Sequence, residues 1–261
     1  MTPETPLDHA HAAMEQAPGD DALRLGFYER LADGELFVML EREAEGETIA
    51  PAIFDTDDGR FVLGFDREER LAGFAGRIVP YAALSGRAVA AMLAPQGLGL
   101  ALNPDVAPSS FLVAPDALEW LVATLAEAPA QIEARPQEIT APHGLPERLL
   151  RGLDAKLAAA AGMARMAYLV GARYEGGLTH LLAFVDPAPG AEAALARATG
   201  EALAFSGVEA GTLDVGFFTA ADPFAARLAR VGLRFDLPEP EAVTQPGANP
   251  GMDPERPPRL R

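Results

Sequence analysis

Prolines at positions 129, 136, 142 and 146 punctuate a polar stretch over residues 127–146, where the apolar periodicity seen elsewhere stops. Proline fixes φ and removes a backbone donor, so neither a long helix nor an inner strand runs through such a segment. A chain of 261 residues suits one large domain or two modest ones. The break decides for two. The expected layout is a first domain over residues 1–126, a Pro-rich linker over 127–145 with room for one short strand, and a second domain over 146–237. Residues 238–261 hold seven prolines and almost no large apolar side chain. Such a tail buries too little surface to offset its ordering entropy, and disorder is expected there.

Each half reads as a mixture of helices and short strands. In the first, a helix pair is expected over about 6–32, with Leu23, Phe27 and Leu31 at i, i+4, i+8 and Asp20 or Asp21 as cap. Apolar runs at 36–40, 49–54 and 61–65 predict strands, and Asp57-Asp58-Gly59 is a hairpin signal between the last two. Helices follow at 67–74 and 84–93, then strands at 98–102 and 111–113, with Asn103-Pro104 as the turn after the first of these. Pro115 and Asp116 open a helix that carries Leu118, Leu121, Val122 and Leu125 on one face.

The second half begins with a helix from Pro146, striped by Leu149, Leu153 and Leu157 and supported by a Glu147–Arg151 pair. Strands at 166–172 and 178–185 are joined by Tyr174-Glu175-Gly176-Gly177. A helix over 191–205, a strand over 213–218 and a helix from Asp222-Pro223, with Phe224, Leu228 and Val231 inward, complete it. The fold class is therefore α+β: two small mixed domains, each a short sheet covered by helices, with the helices of the second expected on one sheet face.

Composition removes several function classes. There is no cysteine, hence no thiolate nucleophile, persulfide carrier, iron–sulfur cluster or cysteine-ligated zinc. Against 38 Asp and Glu stand 21 Lys and Arg, a net charge of −17, which opposes binding to nucleic acid or to an anionic membrane. No run of apolar residues is long enough to span a bilayer, and the first twenty residues have neither a basic nor an apolar leader region. A cytoplasmic protein is expected. The acidity is uneven: residues 1–126 hold 21 acids and 8 bases, a net of −13, against −3 for 127–237 and −1 for the tail. Any electrostatic docking surface is thus expected on the first domain.

Motifs for chemistry are sparse. Asp55-Thr56-Asp57-Asp58-Gly59 resembles a calcium loop only in its first residues: counted from Asp55, the sixth position is Arg60 and the twelfth is Asp66. A hairpin turn accounts for it. Glu41, Glu43, Glu45 and Glu47 read as a solvated hairpin tip, with a docking surface for a basic partner as the alternative. His9 and His11 have the wrong spacing for a metal on a helix, His143 lies in the linker, and His180 falls on an apolar strand face. No metal site and no cofactor is expected. Ser85 and Ser206 lack the glycine of a nucleophile elbow. Gly97-Leu98-Gly99 has no third glycine and no following helix, and the sole lysine, Lys156, lies inside a helix, which excludes a Walker-type NTPase. One loop retains candidates for binding, Asn103, Asp105, Ser109 and Ser110; an ordinary turn into a strand accounts for it, with an anion held by the Ser109-Ser110 hydroxyls and turn amides as the alternative.

The order and spacing of several segments resemble the SseB family, the enhanced serine sensitivity proteins. In the first domain these are Phe27-Tyr28-Glu29-Arg30-Leu31, Glu35-Leu36-Phe37-Val38 and Gly99-Leu100-Ala101-Leu102-Asn103-Pro104. In the second they are Leu145-Pro146-Glu147-Arg148-Leu149-Leu150, Ala167-Tyr168-Leu169 and Asp222-Pro223-Phe224. The resemblance implies both the N-terminal and the C-terminal domain of the family and a link to serine sensitivity, without an established activity. A persulfide sulfurtransferase would require the cysteine that is missing. The preferred expectation is a non-catalytic binding or regulatory module that meets a protein partner through its acidic N-terminal domain. The alternative is a small-molecule-binding, hydrolase-like enzyme with its site near Asn103 and Ser109.

Overall fold

In the computed structural model, residues 4–46, 48–57, 59–126, 136–175, 177–208 and 213–239 are described. The first helix, α1 (Pro6–Gln16), opens on a reciprocal cap: Asp8 N–H donates to the Thr5 hydroxyl, and Thr5 N–H donates to the Asp8 carboxylate. A second helix, α2 (Asp21–Asp33), is capped by Asp20, whose side chain accepts Ala22 N–H. Then follow β1 (Glu35–Met39), β2 (Ile53–Thr56), β3 (Gly59–Phe65), α3 (Glu68–Ala75), β4 (Tyr81–Ser85), α4 (Gly86–Leu93), β5 (Gly99–Leu102), β6 (Phe111–Val113) and α5 (Pro115–Ala126). The strands form one mixed sheet in the order β4-β1-β3-β5-β6, with β2 also paired to β3. Only β3 and β5 run parallel.

Burial on both faces explains the unbroken apolar run of β3. Val62 joins Leu36, Val38, Leu100 and Leu102 beneath α1, α2, α4 and α5, whereas Phe61, Leu63 and Phe65 pack with Leu71 and Phe74 of α3. The 84–93 helix begins two residues later than its apolar content predicts. Leu84 and Ser85 belong to β4, which zips along the whole of β1, and Ser85 caps α4 by accepting Ala88 N–H. Gly86 allows this junction, because a Cβ there would lie 1.7 Å from the Leu31 carbonyl oxygen. The strand expected at 49–54 forms only from Ile53, the residues before it making a loop that touches β1 through the Leu40–Pro51 bridge. The hairpin at Asp57 is as expected, with Thr56 paired to Gly59.

The second unit contains β7 (Glu138–Thr140), α6 (Glu147–Ala159), β8 (Ala164–Tyr174), β9 (Gly177–Pro187), α7 (Glu192–Phe205), β10 (Leu213–Phe218), α8 (Pro223–Val231) and β11 (Leu233–Asp236). Its sheet runs β10-β9-β8-β11, with β7 also on β8 and only β9 and β10 parallel. Helices cover both faces, not one. Ala167, Leu169, Leu182 and Phe184 face α6 and α7, while the alternate residues Tyr168, Val170, Leu181 and Ala183 face Phe224 and Leu228 of α8. Eleven-residue strands with apolar side chains on both sides require this second cover. Val231 ends α8 exposed instead of inward, and β11, which was not anticipated, edges the sheet beside it.

The two sheets share a pattern. In β4-β1-β3-β5 and in β11-β8-β9-β10 the successive pairings are antiparallel, antiparallel and parallel. The domains meet where Phe205, at the end of α7, enters the first core and packs edge-on against Trp120 of α5. Among the described residues no helix is long and apolar enough to cross a membrane. Residues 127–135 of the expected linker and 240–261 of the expected disordered tail lie outside the described residues.

Candidate functional site

Parallel strands β3 and β5 end side by side, and open sheets gather their sites at the carboxyl ends of such strands. Beyond β5 the chain turns through Asn103 (φ 46°) and Asp105 (φ 57°), a left-handed conformation that Asn and Asp tolerate better than most side chains. Asn103 N–H donates to the Gly64 carbonyl (2.9 Å), its side-chain oxygen accepts Asp66 N–H (3.1 Å), and its Nδ2 donates to Ser109 Oγ (2.9 Å). The Ser109 hydroxyl in turn donates to Asp8 (2.5 Å). Asp8 also takes a forked pair of hydrogen bonds from Arg70, and Arg70 reaches Asp66 at 2.8 Å. The Thr5 hydroxyl closes the circuit on Asp66 at 2.6 Å.

This network ties the start of α1, the ends of β3 and β5, and α3 into one block. Asn103 and Ser109 are both 0% exposed and Asp8 is 1% exposed. Burial alone would raise the Asp8 carboxyl. Hydrogen bonds from Arg70, Ser109 and the Thr5 backbone outweigh it and hold Asp8 well below the usual carboxylate range. Arg70 loses from burial too, yet its contacts with Asp8 and Asp66 hold its proton more tightly than usual. Of the four loop residues singled out in the sequence, Asn103 and Ser109 meet inside this block. Asp105 and Ser110 form a separate pair, in which Asp105 N–H donates to Ser110 Oγ at 3.4 Å. Thr5, Asp8, Asp66 and Arg70 were missed. The capping-box spacing of Thr5 and Asp8 and the i, i+4 spacing of Asp66 and Arg70 were legible; their meeting across sixty residues was not.

Against the outer side of this block lies a pocket of about 530 Å³. Leu7, Leu36 and Phe37 supply an apolar floor, and Asp33, Glu35, Asp66, Glu68 and Glu69 stand around it with only Arg30 and Arg67 as cations. Three of the five carboxylates are engaged: Asp66 by Arg70 and Thr5, Asp33 by Arg87 and Lys156, and Glu68 by the Tyr81 hydroxyl, whose ionisation it opposes. Glu35 and Glu69 are exposed on the rim. Among the described residues no three His, Asp or Glu side chains are grouped so as to hold a metal ion. The pocket thus combines an apolar floor with an acidic rim.

The remaining candidates have ordinary places. His9 meets Glu4 at 3.0 Å, and His11 packs edge-on between Phe27 and Phe111. His180 contacts the His143 carbonyl at 3.0 Å. The Ser206 hydroxyl donates to the Leu203 carbonyl at the end of α7. Glu41, Glu43 and Glu45 are solvated beside the Glu45–Thr48 bridge, and Glu47 lies outside the described residues. Lys156 is buried between the domains.

Residues 7–120 match the family model described as the SseB protein N-terminal domain. That span holds most of the first unit, including Asp8, Arg70, Asn103, Ser109 and all the pocket residues except Thr5 and Pro6. No curated protein and no solved structure matches the chain.

Proposed function

We propose that this chain, which carries an SseB N-terminal domain over residues 7–120, is a non-catalytic protein-binding module of that family whose second half is the family's C-terminal domain. In this reading it acts in the cytoplasm, in the serine-sensitivity setting that names the family. The acidic pocket of the first domain receives a lysine or arginine side chain from a basic segment of a protein partner. One observation carries this: five carboxylates surround an apolar floor in a single pocket of the domain that holds most of the chain's excess negative charge. The floor suits the methylene stem and the rim suits the charged head.

The hydrolase-like alternative is less favoured by the geometry. A nucleophile must reach its substrate, whereas the Ser109 hydroxyl is enclosed and already hydrogen-bonded to Asp8 and Asn103. Titration calorimetry with an octalysine peptide tests the proposal. Neutralising Glu35 and Glu69 together (E35Q/E69Q) removes two rim charges worth up to about 1 kcal/mol each, so affinity falls roughly tenfold. Equal affinity of the variant and the parent protein would refute it.

A further inference from the structure

A second recess lies between the domains, bounded by α2, α4, α6 and α7 and enclosing about 560 Å³. Two cations and three carboxylates are paired along it. Lys156 of α6, only 8% exposed, donates to Asp33 (2.7 Å) and Glu201 (2.9 Å) and lies 3.7 Å from Glu29. Arg87 of α4 forks onto Glu201 (3.0 and 3.2 Å) and also reaches Asp33 (2.6 Å). These contacts join the two domains and offset most of the carboxylate charge, and burial raises the Glu29 carboxyl toward its neutral form.

Two guanidinium groups are left over. Arg30 of α2 and Arg197 of α7 line the same recess, one from each domain; both are exposed, and among the described residues neither has a carboxylate within 4.0 Å, although the charge of Arg30 acts on the adjacent Glu29. The lining thus carries four cations against three carboxylates in a chain whose net charge is −17. Along α6 and α7 the walls are Ala155, Ala159, Ala194 and Ala198, whose methyl groups leave space where larger side chains would fill it. A recess of this size between domains is a common setting for a metabolite.

We infer that the interdomain recess binds a small organic anion bearing a phosphate or carboxylate group, gripped by Arg30 from one domain and Arg197 from the other. The planar guanidinium fork matches both oxyanions. A nucleic acid is repelled by the surrounding acidity, whereas a small anion meets only the local excess of positive charge. Arg30 and Asp33 line both this recess and the acidic pocket, but the probes here are anions, so failure of the inference leaves the cation-binding reading intact.

The test is calorimetric titration of the full chain with inorganic phosphate and, separately, with succinate, at ionic strength held constant by sodium chloride. At least one probe binds saturably. R30Q/R197Q weakens that probe at least tenfold, while R165Q, an exposed arginine outside the recess, leaves it unchanged. Binding of phosphate alone assigns a phosphorylated ligand, and binding of succinate alone a carboxylic one. Absence of saturable binding by both probes overturns the inference, as does R30Q/R197Q binding within twofold of the parent protein.

Discussion

Replacing Arg70 with methionine removes the cation from a buried cluster and leaves two carboxylates facing each other across its place. Arg70 donates two hydrogen bonds to Asp8 and one to Asp66, and both Arg70 and Asp8 are almost wholly buried. Breaking a buried ion pair from one side costs about 3–5 kcal/mol, because the remaining charge is neither solvated nor paired. That is a large part of the roughly 5–15 kcal/mol that holds a typical domain together. Urea unfolding followed by fluorescence reads the loss well. The sole tryptophan, Trp120, sits in α5 against Tyr28 and Phe205, so its signal reports the first domain and its contact with the second. With a urea dependence of about 1–3 kcal/mol per molar, the midpoint falls by about 1 M or more. Asp8→Asn in the R70M background recovers part of the loss, since it removes one of the stranded charges. A midpoint for R70M within about 0.3 M of the parent would refute the reasoning.

Further outcomes follow from the same geometry. Because the folded Asp8 carboxyl lies below its ordinary range, its contribution is complete above the unfolded carboxylate pKa near 4 and is lost as pH falls; D8N therefore unfolds with a shallower acid limb below about pH 4. Lys156→Met leaves Glu29 and Asp33 without their interdomain cation and costs about 2–3 kcal/mol, with faster amide exchange along α2 and α7 as the direct readout. Glu29 has the opposite sign to Asp8, because burial raises its carboxyl and its charged form opposes folding. E29Q is accordingly more stable than the parent near neutral pH, and the difference disappears below about pH 4 in paired melting curves. Gly86→Ala drives a methyl group into the Leu31 carbonyl and lowers stability by about 1–3 kcal/mol or prevents folding, which thermal melts distinguish from a neutral change.

How far the sequence reaches depends on whether a feature is local. Caps and stripes are local, and Asp20, Pro115, Leu149, Leu153 and Leu157 stand where their patterns place them. The last two residues of β4, Leu84 and Ser85, fall within the helix expected at 84–93 because they fit either period, and no element is expected at 81–83; pairing with β1, a tertiary contact, decides for the strand. The second helical cover of the β8–β9 sheet was equally hidden, although the two-sided apolar content of those strands carried the clue. In the loop after β5, residue type singled out Asn103 and Ser109 as binding candidates, whereas the structure buries both in a network completed by Asp8 and Arg70 from elsewhere in the chain. Charge counting located the acidic domain. Only the fold brings Glu35 beside Glu69 around an apolar floor.

The most direct test of the central proposal is where a basic peptide lands. Hydrogen exchange of the full chain with and without octalysine separates the acidic pocket from the other acidic stretch, the loop bearing Glu41, Glu43 and Glu45. The proposal predicts slowed exchange at residues 33–37 and 66–69, removed by E35Q/E69Q. Protection confined to residues 41–46, or unchanged in that variant, would contradict it.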